Sequence, residues 1–127
     1  MTNLLAPSRR LELVVFTWSG EPQRHRLPVV GEVRIGRDSK TNDICIQDAS
    51  VSANHAILTV DSSLRIRDLG STNGTILRRG DRDVGTSKTE RTYETRHTGE
   101  TFVVELGDRL KFGSAMAMVR VCQVSAN

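Results

Sequence analysis

Gly36-Arg37, then Ser52-Ala53-Asn54-His55, then Ser71-Thr72-Asn73-Gly74-Thr75: these three short signals punctuate the stretch from which the rest of the chain is read. Between them lie strand-like runs at Ile44-Cys45-Ile46, Ala56 to Val60 and Leu64 to Asp68. In the last run Leu64, Ile66 and Asp68 fall on one face of a period-two strand, with Arg65 and Arg67 on the other. The signals are polar and rich in turn residues. The runs therefore read as a scaffold and the signals as loops gathered at one end of it, which is where binding residues concentrate.

The chemistry of those loops points to an anion. Arginine presents a planar fork of donors, and Arg37 opens the series. Ser52 and Thr72 bring hydroxyls and Asn73 an amide that donates and accepts; Lys40 and Asn42 are near in sequence. No carboxylate lies within Gly36-Arg37, Ser52 to His55 or Ser71 to Thr75. A phosphoryl group, with charge near about −2 and three acceptor oxygens, fits such a set; by residue type alone, so does sulfate.

Outward from this stretch the strand signals continue. Leu11 to Trp18 is rich in Val, Leu and Phe, and Ser19 to Pro22 is turn material. Gln23 to Leu27 returns as a second strand, ended by Pro28. Val30 to Ile35 is a third, with Val33 and Ile35 on one face. His55 to Val60 and Leu64 to Leu69 form a hairpin. Thr75 to Leu77, Thr101 to Leu106, Arg109 to Phe112 and Ala115 to Val121 complete the set. No segment has helical periodicity. Many short strands joined by turn signals predict an all-β fold, an antiparallel β-sandwich of about ten or eleven strands. Residues 1–10 read as a loose arm, 11–122 as the sandwich, and 123–127 as a tail. Arg78 to Glu100 departs from the pattern. Six basic and five acidic residues interleave there, and Thr recurs at 86, 89, 92, 95, 98 and 101. This predicts an inserted solvated loop or protruding hairpin; a phosphoacceptor or contact surface is the alternative.

Composition bounds the rest. A chain of 127 residues suits one domain. Aromatics make up only 4%, so the core must be built from Val, Leu and Ile. The net charge of +3 is scattered, whereas a nucleic-acid surface shows a basic stripe with aromatic platforms; no nucleic-acid role is expected. No run approaches the roughly 20 apolar residues of a membrane helix, and residues 1–10 lack the apolar core of a signal peptide, so a cytoplasmic location is expected. Cys45 and Cys122 are expected as reduced core residues. There is no Cys-x-x-Cys and the three histidines are far apart, so neither a metal site nor a cofactor is expected.

The order Gly-Arg, Ser-x-x-His, Ser-Thr-Asn-Gly-Thr resembles the forkhead-associated (FHA) domain, a phosphothreonine-binding β-sandwich. Glu32-Val33-Arg34-Ile35 looks like the strand entering its Gly-Arg. Leu106-Gly107-Asp108-Arg109-Leu110-Lys111-Phe112-Gly113 looks like the stretch before its last strand. The resemblance implies that Arg37, Ser52 and Thr72 contact phosphate and that Asn73 holds the peptide backbone beside the phosphothreonine. His55 would brace the loops, and Gly36 and Gly74 would serve their turns. Where FHA domains usually carry Arg or Asn after the key serine, this chain has Ala53; Asn54 and Lys40 are the residues that could compensate. Ser50 lies where some members read the third residue after the phosphothreonine.

The resemblance implies a phosphothreonine-peptide module in signalling or transcriptional regulation. Its partner would be a threonine-phosphorylated protein, such as a Ser/Thr kinase or its substrate. Leu13 to Thr17 followed by Gly31 to Arg37 looks like the N-terminal module of bacterial enhancer-binding activators. The alternative is a degenerate FHA fold that binds a partner, or itself, without phosphate. An enzyme is not expected: Ser52, His55 and the surrounding aspartates form no nucleophile–base constellation.

Overall fold

The computed structural model describes residues 10–18, 20–79 and 101–122. Among these residues ten strands run in order: β1 Leu11–Phe16, β2 Gln23–Arg26, β3 Gly31–Gly36, β4 Ile44–Cys45, β5 Ala56–Val60, β6 Leu64–Asp68, β7 Thr75–Arg78, β8 Thr101–Val104, β9 Arg109–Phe112 and β10 Ala115–Val121. They form two five-stranded sheets, β2-β1-β10-β9-β7 and β4-β3-β5-β6-β8.

Period-two alternation sets the layering. In the first sheet Leu13, Val15, Leu110, Phe112, Ala117 and Val119 point inward, and in the second Ile35, Leu58, Val60, Leu64 and Ile66 meet them. Phe112 is the largest fully buried side chain, so branched aliphatics fill most of the space between the sheets. Each such side chain contributes roughly 1.5–3 kcal/mol by leaving water. Asp68 is buried with Leu64 and Ile66, as the alternation predicts.

Five details differ from the sequence reading. β3 and β4 pair in parallel, Ile35 with Ile44 and Gly36 with Cys45, so the second sheet is mixed. β4 has only two residues, and the chain must double back through 37–43 to start it. β1 ends at Phe16, and Trp18 stands 91% exposed beyond it. Cys45 and Cys122 are both free and only half-buried, not core residues; Cys45 instead lies on an edge strand, its Sγ donating to the Arg37 carbonyl at 3.2 Å. Arg78 belongs to β7 rather than to the inserted segment.

Strand register places five connections at one end of the sandwich. Ile35 pairs with Ala56, and Ala56 with Asp68; Thr75 pairs with Phe112, Phe112 with Ala115, and Met116 with Phe16. The segments 37–43, 46–55, 69–74 and 113–114, with 17–18 and 20–22, therefore all emerge together. At the opposite end Arg79 fastens the two sheets. Its Nε and Nη2 each donate to the Asp108 carboxylate at 3.0 Å, and Nη2 also donates to the Val103 carbonyl at 3.1 Å.

Residues 80–100 lie outside the described residues, so the expected loop or hairpin is not described. Because Arg79 is already tied down where that segment begins, replacing 83–98 with a Gly/Ser link is expected to leave unfolding free energy within about 1 kcal/mol of wild type, since closure entropy changes slowly with loop length. Urea titration checks this; an unfolded replacement would mean the segment packs as part of the sandwich.

Candidate functional site

Three of the connections at the loop end are stitched to one another. The Arg37 amide donates to the Ser52 carbonyl at 2.9 Å, and the Asp38 amide to the Ala53 carbonyl at 3.2 Å. Arg37 Nε donates to the Val51 carbonyl at 2.9 Å, while the residue as a whole remains exposed. Its two terminal nitrogens have no partner among the described residues. Asn42 Nδ2 adds bonds to the Asp38 carbonyl at 2.7 Å and the Ala53 carbonyl at 2.6 Å. The Thr41 hydroxyl donates to Asn54 Oδ1 at 2.7 Å.

Gly36 is needed for this seam, but not for a turn. It closes β3 with ordinary strand backbone; the positive-φ glycines near the site are Gly70, Gly74 and Gly113, at 80°, 85° and 61°. A Cβ on Gly36 would run into the Ala53 carbonyl oxygen and come within 2.7 Å of Asn42 Nδ2. The glycine lets the second loop lie directly on the first.

The third loop joins through Ser52 and Ser50. The Thr72 amide donates to Ser52 Oγ at 3.0 Å, and Asn73 Nδ2 donates to the Ser50 carbonyl at 2.8 Å. Ser52 Oγ accepts in that bond, so its own proton remains available. Thr72 and Asn73 are exposed, as are Lys40 and Asn54. The six predicted binding residues, Arg37, Lys40, Ser52, Asn54, Thr72 and Asn73, thus lie on three loops joined by direct hydrogen bonds. The carboxylates of these loops are spent on backbone amides: Asp38 Oδ1 accepts from Lys40 and Asp48 Oδ1 from Ser50, both at 2.9 Å, and Asp43 Oδ2 from Arg34 at 2.8 Å. The bonds from Ser50 hold the Asp48 carboxyl below its ordinary range. The Ser50 hydroxyl is occupied too, donating to Asp48 at 2.6 Å and accepting from the Ser114 amide at 2.7 Å.

Beneath the loops sits His55, fully buried. Its Nδ1 accepts from the Ser52 amide at 3.0 Å and its Nε2 pairs with the Gly74 carbonyl at 2.9 Å. The two bonds together require the neutral ring with its proton on Nε2. Both nitrogens are spent on backbone, and the Ser52 hydroxyl is not among their partners, so His55 is no general base. The Phe112 ring lies edge-on to it at 5.5 Å.

Asp68 is the residue whose role sequence reasoning missed. Fully buried, its carboxylate accepts from the Gly70 and Ser71 amides at 2.9 Å, the Ser71 hydroxyl at 2.6 Å and the Thr75 hydroxyl at 2.7 Å. Ser71 Oγ in turn accepts from the Gly74 amide at 2.9 Å. This fixes the loop that presents Thr72 and Asn73. Alternation along β6 placed Asp68 inward, which was the available signal; nothing in the sequence said which donors it would meet.

Burial pushes the His55 pKa below its ordinary value of 6.5, against smaller opposing effects of the Gly74 bond and the Asp68 charge. Burial lowers His25 as well. A histidine whose folded pKa is depressed binds its proton first in the unfolded chain. Stability is therefore unaffected above about pH 6.5 and falls as pH drops from there toward the folded pKa. Melting curves between pH 7.5 and 5 should show the decline, by at most about 1.4 kcal/mol per pH unit for each histidine, and it should persist in His25→Gln. A flat profile would mean that the folded and unfolded chains take up protons alike, so that the fold does not hold His55 neutral.

The structure is thus a β-sandwich that holds a hydroxyl-bearing loop cluster with an exposed arginine over a buried bracing network. The FHA domain model matches residues 33–113, and the chain belongs to the FHA domain family. An FHA domain-containing protein of Arabidopsis thaliana is 32% identical over 106 residues, covering 83% of this chain and 25% of the relative. The chain thus spans a quarter of the length of that curated relative. Among solved structures, the FHA domain of the CT664 protein from Chlamydia trachomatis is 20% identical with a TM-score of 0.68, covering 91% of this chain and 99% of the other. EmbR of Mycobacterium tuberculosis, solved in complex with a low-affinity phosphopeptide, is 20% identical with a TM-score of 0.61, covering 91% of this chain and 26% of EmbR. FHA domains are interaction modules, and no helix among the described residues is long and apolar enough to cross a membrane.

Proposed function

We propose that this chain binds threonine-phosphorylated segments of a protein partner at the loops carrying Arg37, Ser52, Thr72 and Asn73. The observation that carries the reading is the seam itself. Every backbone bond that joins the loops leaves donors over: the Arg37 terminal nitrogens, the Ser52 proton and the Thr72 hydroxyl. The phosphate would take these, since charged hydrogen bonds are the strong ones. Asn73, held by the Ser50 carbonyl, would use its remaining amide hydrogen and carbonyl on the peptide backbone. Ala53 offers no side-chain donor. Its carbonyl serves the seam, and Asn54 Nδ2 and the Lys40 ammonium are the nearby donors that would stand in.

The partner on this reading is a signalling protein phosphorylated on threonine, a Ser/Thr kinase or its substrate, met in the cytoplasm. A phosphothreonine–phosphoserine comparison tests it. The two residues carry the same charge, so an anion patch would bind them equally. A fitted pocket gains about 0.8 kcal/mol for burying the methyl, up to roughly 3 kcal/mol, and threonine starts stiffer at χ1. Calorimetry with paired peptides should favour phosphothreonine by several-fold to about a hundredfold. Equal affinities would reduce the site to an anion patch, and equal binding of the unphosphorylated peptide would favour the phosphate-independent fold.

A further inference from the structure

Strand register carries the loop end onto the outer face of the first sheet. Ile76 on β7, Lys111 on β9, Met116 on β10 and Phe16 on β1 form one outward row across that sheet. The row is joined to the site at two points. Ile76 follows Gly74 and Thr75 directly. Met116 lies two residues beyond Ser114, whose amide is bonded to Ser50, the residue that holds Asn73.

Apart from Lys111 the row is apolar, and it is open. Phe16 and Met116 are each 38% exposed, and Trp18, just past the end of β1, is 91% exposed. Three exposed large apolar side chains at one corner is more than single scattered ones, which need no explanation. The strand charges nearest them are basic. Lys111 stands in the row itself, Arg78 and Arg109 line one pocket with Lys111 and Met116, and Arg24 is on the neighbouring strand, whereas Arg26, Arg120 and the buried Glu12 stand at the far end of the face. Glu12 is already shared between Arg24 at 3.5 Å and Arg120 at 3.9 Å.

We propose that this corner of the β1–β10–β9 face, centred on Phe16, Trp18 and Met116, is a second contact surface for the phosphorylated partner: it takes apolar residues set among carboxylates, distal to the phosphothreonine on the same chain. The proposal rests on the phosphothreonine reading above. Continuity through Ser50–Ser114 and through Thr75–Ile76 argues for one continuous occupant rather than a separate ligand, and the basic surround selects an acidic one. Two strand residues and one or two inter-strand steps separate the row from the loops, about 10–15 Å, or roughly four extended peptide residues. Selection should therefore begin beyond about the fourth residue from the phosphothreonine and be absent closer in.

The test is an oriented library of phosphothreonine peptides, degenerate at flanking positions on both sides, selected on the wild-type chain, Trp18→Ala and Met116→Lys. Both substitutions are at exposed positions, and circular dichroism would confirm the fold. Wild type should enrich Leu, Phe or Met together with Asp and Glu at distal positions. Both variants should lose that enrichment while still preferring phosphothreonine to threonine. A long selected peptide should bind each variant about tenfold more weakly, and a short one equally. Trp18 is the only tryptophan in the chain, so its emission should move to the blue with the long peptide and not with the short one. Phosphothreonine preference without distal selection, or distal selection unchanged in both variants, would overturn this inference and leave the phosphothreonine reading standing. No preference for phosphate at all would overturn that reading and the linked surface with it. A wild-type dimer that Met116→Lys converts to monomer in sedimentation would assign the face to a second copy and overturn the proposal.

Discussion

Asp68→Ala is expected to lower the melting temperature by about 15–25 °C. The carboxylate is fully buried and satisfies two backbone amides and two hydroxyls within one loop. Each donor left unsatisfied costs about 1–3 kcal/mol. Water entering the vacated space recovers part of that, leaving about 3–5 kcal/mol, the usual cost of breaking a buried charged network. For a domain of this size 1 kcal/mol corresponds to roughly 4–5 °C. Asp68→Asn keeps the shape and one acceptor oxygen but turns an NH2 group toward donors, so it should fall between wild type and Ala. Thermal denaturation followed by circular dichroism checks the order. A shift below about 5 °C for Ala would mean that the Ser71 to Gly74 loop holds its conformation without this anchor. The same substitution should weaken phosphopeptide binding more than its distance from the phosphate suggests, because Thr72 and Asn73 lose their fixed positions.

Arg37→Ala should act in the opposite proportion, with a large loss of affinity and a small loss of stability. A hydrogen bond to a charged group is worth about 1.5–3 kcal/mol, so affinity for a phosphothreonine peptide should drop about ten- to a hundredfold. The fold loses one exposed-side-chain bond, Nε to the Val51 carbonyl, which is worth about 1 kcal/mol, or several degrees of melting temperature. Arg37→Lys sharpens the test. It keeps the charge but not the fork that can hold Val51 with one nitrogen and the phosphate with two others, so it should recover only part of the affinity. Calorimetry on both variants decides; unchanged affinity in Arg37→Ala would place the pocket elsewhere.

The strands were legible in the sequence because period-two alternation is a local property: Leu64, Ile66 and Asp68 announce a buried face whatever they pack against. The loop residues were legible through their chemistry, since Arg37, Ser52, Thr72 and Asn73 are donors in segments lacking carboxylates. What stayed hidden depends on partners distant in sequence. The parallel pairing of β4 with β3 has no local signature. The need for glycine at 36 comes from the Ala53 carbonyl, and the bonds of the Asn42 amide to the Asp38 and Ala53 carbonyls are just as remote from any local pattern. Asp108 was read as part of a motif, while its bond to Arg79 joins residues on opposite sides of the inserted segment. The half-exposure of Cys45 reflects an edge strand, and that of Cys122 the end of β10, which hydrophobic flanks do not reveal.

The central claim is that phosphothreonine binds across three hydrogen-bonded loops at one end of the sandwich. Amide chemical-shift mapping tests it most directly, by titrating 15N-labelled protein with a phosphothreonine peptide and with its unphosphorylated twin. The account predicts large shifts at Arg37, Ser52, Thr72 and Asn73 with the phosphorylated peptide alone, and small ones at the buried amides of β5. Shifts confined to another surface, or the same shifts with both peptides, would contradict it.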